Sequence, residues 1–279
     1  MTSTHALVRS PLREAIRKNV LADYRLILTL VGAADIVAAT GMHPGGPAGR
    51  GEHAWPAHQG AVQVAVAAAA TRYGLRRIVV LHNSVPASRR FTTTFAQVLA
   101  PAERSALRLI HVDNKITAVR RRECLDALCS PGPGSWTVLS TVRNVLQSLT
   151  LPAVDALVLA APRASTAECG EYVHKALPVL RSRPRTVAVV LPAFLDDSRP
   201  LPVQLSGSGF IHVRRALDSL SSEDPELRAE ILRTNGAGNR LKILDGYGAD
   251  VDPRLHAAVT EQLKSVIGLR ESWNQEVAQ

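Results

Sequence analysis

HVDNKITAVRRRECLDAL (111–128), a break SPGPGS (130–135), and WTVLSTVRNVLQSLTLPAVDALVLAAPRASTAECGEYVHKAL (136–177) form the stretch that decides the fold. Two short β-branched runs, Trp136 to Leu139 and Val154 to Leu159, read as strands on either side of a loop carrying Arg143. A helix over Ala167 to Leu180 follows and bears His174 and Lys175. Upstream, Thr117 can cap a helix to Leu128, and Leu107 to Val112 reads as a strand. Further out, Leu12 to Val20 reads as an amphipathic helix and Leu26 to Val31 as a strand. Gly60 to Tyr73 is a helix closed by Gly74. Arg77 to Leu81 is a strand and Ser88 to Val98 a helix. Thr186 to Leu191 is a strand that Pro192 is expected to end. Between residues 60 and 195 strands alternate with helices, and the strands are apolar on both faces. That pattern predicts an α/β fold, a three-layer parallel sheet with helices on both faces.

The outer segments read differently. Residues 1–59 are a linker segment with one helix and one strand that joins the sheet; the Gly/Pro/His-rich run over 41–57 is a loop. Residues 60–197 are the main domain. Residues 198–279 are a helical extension: Pro202 to Gly209 is loop, Ile211 to Leu220, Pro225 to Leu232 and Pro253 to Leu269 are helices, and NGAGN (235–239) is a break.

Aromatic residues make up only 4% of the chain, so its core is built from Ala, Val, Leu and Ile. The formal net charge of +9 suits a polyanionic partner through phosphate contacts; an Arg-rich genome is the other reading. No apolar run reaches a membrane span, and the N-terminus has no signal-peptide pattern. Cys124, Cys129 and Cys169 lack zinc-ligand spacing and suit a reducing cytoplasm. His43, His53 and His58 share a loop without Cys or paired carboxylates, so no metal site is expected.

The order of these motifs resembles the C-terminal RecA-like lobe of superfamily-two DEAD/DEAH-box helicases. It is most similar to actinobacterial helicases that carry a helicase-associated region. REAIRKNVLADYRLILTLV (13–31) resembles the entry to that lobe, and RIVVLHNSVPASRRF (77–91) the fourth motif. HVDNKITAVRRRECLDAL (111–128) resembles the strand and helix after it. STVRNVLQSLTLPAVDALVLAAP (140–162) resembles the fifth motif, RASTAECGEYVHKAL (163–177) the sixth, and SGFIHVRRALDSLSSEDPELRAE (208–230) the region past the motor.

The resemblance implies nucleic acid, DNA or RNA, as partner. His82, Asn83 and Ser84 of the fourth motif, with Ser140, Thr141 and Arg143 of the fifth, would face its backbone. Gln147, Thr150, Glu171, His174 and Lys175 would face a nucleotide. Several of these depart from the family. The fifth motif's E-G-V-D-V-P reads Gln147 to Pro152 here. The sixth motif's Gln, Gly, Arg and Arg read Glu171, His174, Lys175 and Pro178, so Lys175 stands at a degenerate arginine-finger position and lacks the guanidinium fork. The chain has no Gly-Lys dipeptide for a phosphate loop and no Asp-Glu dipeptide for magnesium. No cofactor is therefore expected on its own; ATP and Mg would bind only if a separate first motor lobe completed the site, and that lobe or an intact helicase is the expected protein partner. A protein-interaction or regulatory module built on the same scaffold is the alternative. The arginines 120, 121 and 122 read as a solvated helix face.

Overall fold

A computed structural model describes residues 12–41, 44–45, 55–160, 166–179, 186–196, 198–207, 210–233 and 240–277. In chain order the elements are α1 (Leu12–Arg17), β1 (Asp23–Gly32), α2 (Ala33–Thr40), the two-residue strands β2 (Pro44–Gly45) and β3 (Trp55–Pro56), α3 (Ala57–Tyr73), β4 (Arg77–His82) and α4 (Val85–Thr94). Next come α5 (Pro101–Ser105), β5 (Leu107–Val112), α6 (Ala118–Cys129), β6 (Trp136–Val142), α7 (Arg143–Ser148), β7 (Ala156–Leu159), α8 (Thr166–Ala176) and β8 (Thr186–Leu195). The chain closes with α9 (Leu201–Ser206), α10 (Ile211–Glu223), α11 (Pro225–Arg233), β9 (Leu241–Leu244) and α12 (Pro253–Val277).

Seven strands form one sheet in the order β5-β6-β4-β7-β8-β1-β9, and every pair is parallel. The two-fold alternation of strand side chains explains why both faces are covered. Leu26, Leu28, Val79, Leu81, Leu139, Leu157, Val187 and Val189 enter one apolar cluster, which α8, α10, α11 and α12 complete. Their neighbours Ile27, Ile78, Val80, Val138, Val158 and Val190 enter a second cluster with α3, Phe91 and Phe95. The three-layer expectation therefore holds. Helix α3 lies between the sheet and α2, so most of its first fourteen residues are buried, and its Ala-rich composition lets it approach both. Gly41 ends α2 with φ +70°, the left-handed turn a glycine supplies without strain.

Three expectations fail. The N-terminal segment holds a second helix, α2, directly after β1. Pro192 does not end its strand: β8 runs on to Leu195, with Pro192 opposite Thr29 of β1. The reason is the missing neighbour. Ala188 N–H bonds Asp155 on the β7 side, and β7 stops pairing at Val190, so by parity Pro192 lacks its N–H where no strand would accept it. Residues 198–279 are also not all helix and loop. Leu201–Ser206 is helical, started by prolines at its first turn. Leu241–Leu244 is a strand that extends the sheet beside β1. Most of the expected loop over 41–57, and the NGAGN break, lie outside the described residues.

At the N-terminal edge of the sheet, Asp224 is fully buried. It accepts from Tyr24 Oη at 3.0 Å and from the amides of Glu226 and Leu227 at 3.0 Å each. Arg240 lies 3.4 Å from Asp224, 3.2 Å from Asp23 and 3.3 Å from Glu226. This network joins β1, α11 and the approach to β9. Burial first, then the Asp224 carboxylate, pushes the Tyr24 phenol far above its ordinary pKa.

Candidate nucleic-acid interface

All strands of a parallel sheet deliver their C-termini to one edge. There β4 passes through Ser84 into α4, β5 through Asp113 to Thr117 into α6, and β6 directly into α7. The Ser84 and Thr117 side chains cap α4 and α6, accepting from Ala87 N and Arg120 N. Both helices thus turn their positive ends toward the edge. Exposed cations stand with them: Arg89 and Arg90 in α4, Lys115 before α6, Arg120 and Arg122 in its first turns, and Arg143 at the start of α7.

Beneath this surface runs a buried polar chain. Ser140 Oγ lies 2.7 Å from Ser88 Oγ, and Ser88 Oγ lies 2.8 Å from His111 Nδ1. His111 Nε2 is 3.3 Å from Asp113 Oδ2, which also takes Arg89 Nη2 at 2.7 Å. Asp113 Oδ1 accepts the Lys115 amide at 2.9 Å. The Lys115 amide, then Arg89 and His111, outweigh partial desolvation and hold the Asp113 carboxyl down from 3.8 to about 2. The chain ties α4 to β5 and β6, two strands already paired in the sheet. Ser88 and Ser140 have no exposed surface, so this serine, imidazole and carboxylate series has no access to a substrate and is not a nucleophilic triad.

No protein-family model and no curated protein matches the chain. Among solved structures it is similar to the ATP-dependent Type ISP restriction-modification enzyme LlaBIII bound to DNA, with a TM-score of 0.74 at 19% identity. The match covers 95% of this chain and 19% of that one. It is also similar to a nuclease-deletion mutant of the Type ISP enzyme LlaGI in complex with a DNA substrate mimic, with a TM-score of 0.53 at 16% identity. There it covers 95% of this chain and 15% of that one. The fold is a RecA-like α/β lobe, an all-parallel sheet covered by helices on both faces. The chain spans less than a fifth of the length of either enzyme.

Within this lobe the motif residues fall into three groups. The first is interior. His82 is buried on the α3 side, packed on Phe91 at 5.2 Å between ring centroids, and its Nε2 has no partner among the described residues. Burial, and then the fields of His58 and His111, lower it from 6.5 to about 3, so it brings no charge to a phosphate. The Ser140 hydroxyl is taken by Ser88, and the Thr141 hydroxyl donates to Val112 O at 2.8 Å. Neither hydroxyl faces solvent, contrary to the expectation that they reach a phosphate. The second group lies on the edge: Asn83 is exposed, Ser84 serves as a helix cap, and Arg143 is half exposed and paired with Glu168 at 2.9 Å.

The third group is the nucleotide-facing set. Gln147, Thr150 and Glu171 are exposed. His174 Nε2 meets Glu223 of α10 at 2.8 Å. Lys175 Nζ donates to the carbonyls of Leu146, Gln147 and Leu149, closing the C-terminal end of α7. Its charge serves that helix end. Gly170 allows α8 to meet α10: a Cβ there would come 2.2 Å from Glu223 Oε1 and 3.1 Å from Ser219 Oγ. Among the arginines read as a solvated face, Arg120 pairs with Glu123 at 2.7 Å. The His43 and His53 positions lie outside the described residues. Among the described residues, no three His, Cys, Asp or Glu groups gather as metal ligands, and no helix is long and apolar enough to cross a membrane.

The sequence reading missed Ser88, Arg89, His111 and Asp113. The available signal was His-x-Asp at a strand exit, with one serine and two arginines in α4.

Proposed function

We propose that this lobe binds the phosphate backbone of a nucleic acid along the C-terminal edge of β4, β5 and β6. One observation carries the reading: two capped helix N-termini and a row of exposed Arg and Lys side chains converge on that edge. Fixed amide dipoles and mobile cations together make a track for a polyanion with no base-reading elements, so sequence-independent binding follows. The net charge of +9 supports it. So does the fold shared with two enzymes whose structures hold DNA or a DNA mimic.

The sixth-motif residues do not fit a nucleoside triphosphate. Lys175 is committed to three carbonyls, His174 to a carboxylate, and Glu171 adds negative charge. We propose accordingly that the lobe does not turn over ATP by itself. The test is a binding titration with labelled single- and double-stranded oligonucleotides over a salt series, beside an ATPase assay with and without nucleic acid. Binding should weaken linearly in log–log coordinates as salt rises. No binding at low salt, or ATP turnover by the purified chain, overturns the respective half of the reading.

A further inference from the structure

The chain Ser140–Ser88–His111–Asp113, buried except at the partly exposed His111, ends on the exposed Arg89 guanidinium. Arg89 is 56% exposed in its side chain and Asp113 only 2%. The carboxylate is therefore inside and the cation outside. Among the described residues only one guanidinium nitrogen is engaged, Nη2 at 2.7 Å, whereas arginine–carboxylate pairs frequently close as a two-pronged fork. The remaining Arg89 donors face outward at the end of β5, next to Lys115, whose amide is held by the same carboxylate. Burying hydroxyls, an imidazole and a carboxylate in a sheet of this kind does little for stability compared with apolar packing. What it does accomplish is to fix one guanidinium relative to the ends of β5 and β6.

We propose that Arg89 is a phosphate-binding residue of this lobe and that Asp113, held in turn by His111 and Ser88, is its positioning residue. The proposal rests on the nucleic-acid reading above and adds a specific contact to it. A guanidinium held by one Nη2 hydrogen keeps its second Nη2 hydrogen, which with Nη1 or Nε makes a free edge for a phosphate. Because the holding carboxylate is buried and fixed, the side chain loses little further freedom on binding. The contact is to phosphate alone, so it is blind to base sequence.

The test uses the full chain and fluorescein-labelled oligothymidylate, with affinity measured across a salt series for the wild type, Arg89→Ala, Arg89→Lys and Asp113→Asn. Thermal melting of each variant shows whether it is folded. Arg89→Ala should lose affinity about tenfold and reduce the log–log salt slope by about 0.7, the single-strand value for one phosphate contact. Arg89→Lys should restore the slope but only part of the affinity, because it keeps the charge without the fork. Asp113→Asn should leave the slope unchanged and lower affinity about threefold, since the arginine keeps its charge and loses its aim. An unaltered slope and affinity in folded Arg89→Ala, with wild-type binding present, overturns the proposal and leaves the nucleic-acid reading standing. Wild-type affinity in Asp113→Asn overturns the positioning role. Absence of binding by the wild type removes the nucleic-acid reading and this proposal with it.

Discussion

His82→Phe separates a structural histidine from a binding one. The residue is 6% exposed, its Nε2 lacks a partner among the described residues, and its pKa falls from 6.5 to about 3. The folded state thus keeps it neutral while the unfolded chain takes up a proton below pH 6.5. A lowered folded pKa means the stabilisation is complete above 6.5 and is lost as pH falls toward 3. The cost grows by about 1.4 kcal/mol per pH unit below 6.5, which gives about 2 kcal/mol at pH 5 and less than about 0.1 kcal/mol at pH 7.5. Phenylalanine keeps the ring against Phe91 and cannot titrate. Any overpacking cost, about 1–3 kcal/mol, acts equally at both pH values. Urea unfolding of wild type and variant at pH 7.5 and pH 5 isolates the difference of differences. The variant should lose about 2 kcal/mol less than the wild type on acidification. Equal losses would show that His82 is protonated in the folded state and would refute the burial argument. Nucleic-acid affinity at pH 7.5 should not change.

Glu168→Gln should free Arg143 from its 2.9 Å partner and raise oligonucleotide affinity several-fold at low salt; unchanged affinity would show that Arg143 does not reach the backbone. Arg240→Ala leaves Asp224 buried without a cation, though Tyr24 and two amides still donate to it. The expected loss is about 3 kcal/mol in denaturant unfolding, and a loss under about 1 kcal/mol would contradict the network's role. Gly170→Ala forces Glu223 away from α8 and should destabilise by about 1–3 kcal/mol. Shortening the obstruction in the double variant with Glu223→Ala should recover part of that loss, and no recovery would place the clash elsewhere.

The strands at Arg77, Leu107, Trp136 and Thr186 were legible because short β-branched runs between turn residues have few other readings in an α/β chain. Their both-faces-apolar character also announced the two helical layers. The edge strand Leu241–Leu244 was not legible: its LKIL is short, carries a lysine, and pairs on one side only. Leu201–Ser206 was hidden by prolines that read as loop formers, although proline at a helix start is favourable. Pro192 was misread because its tolerance depends on where β7 ends, a tertiary fact. For the site, motif order pointed to the strand-exit edge that carries Asn83, Ser84 and Arg143, but not to the polar chain packed beneath it. Ser140 and Thr141 occupy positions that the resemblance assigned to phosphates, yet their hydroxyls bond inward. Arg89 and Asp113 are 24 residues apart on separate elements, and only the folded sheet brings them together.

The central claim, that the C-terminal edge of β4, β5 and β6 holds a nucleic-acid backbone, is tested most directly by footprinting on the protein side. Hydrogen exchange of the full chain, with and without oligonucleotide at low salt, should show protection at the starts of α4 and α6 and in the loop from Asp113 to Thr117. The opposite edge, around Asp23 and Arg240, should be unchanged. Protection confined to that opposite edge, or to α9 to α12, would contradict the account.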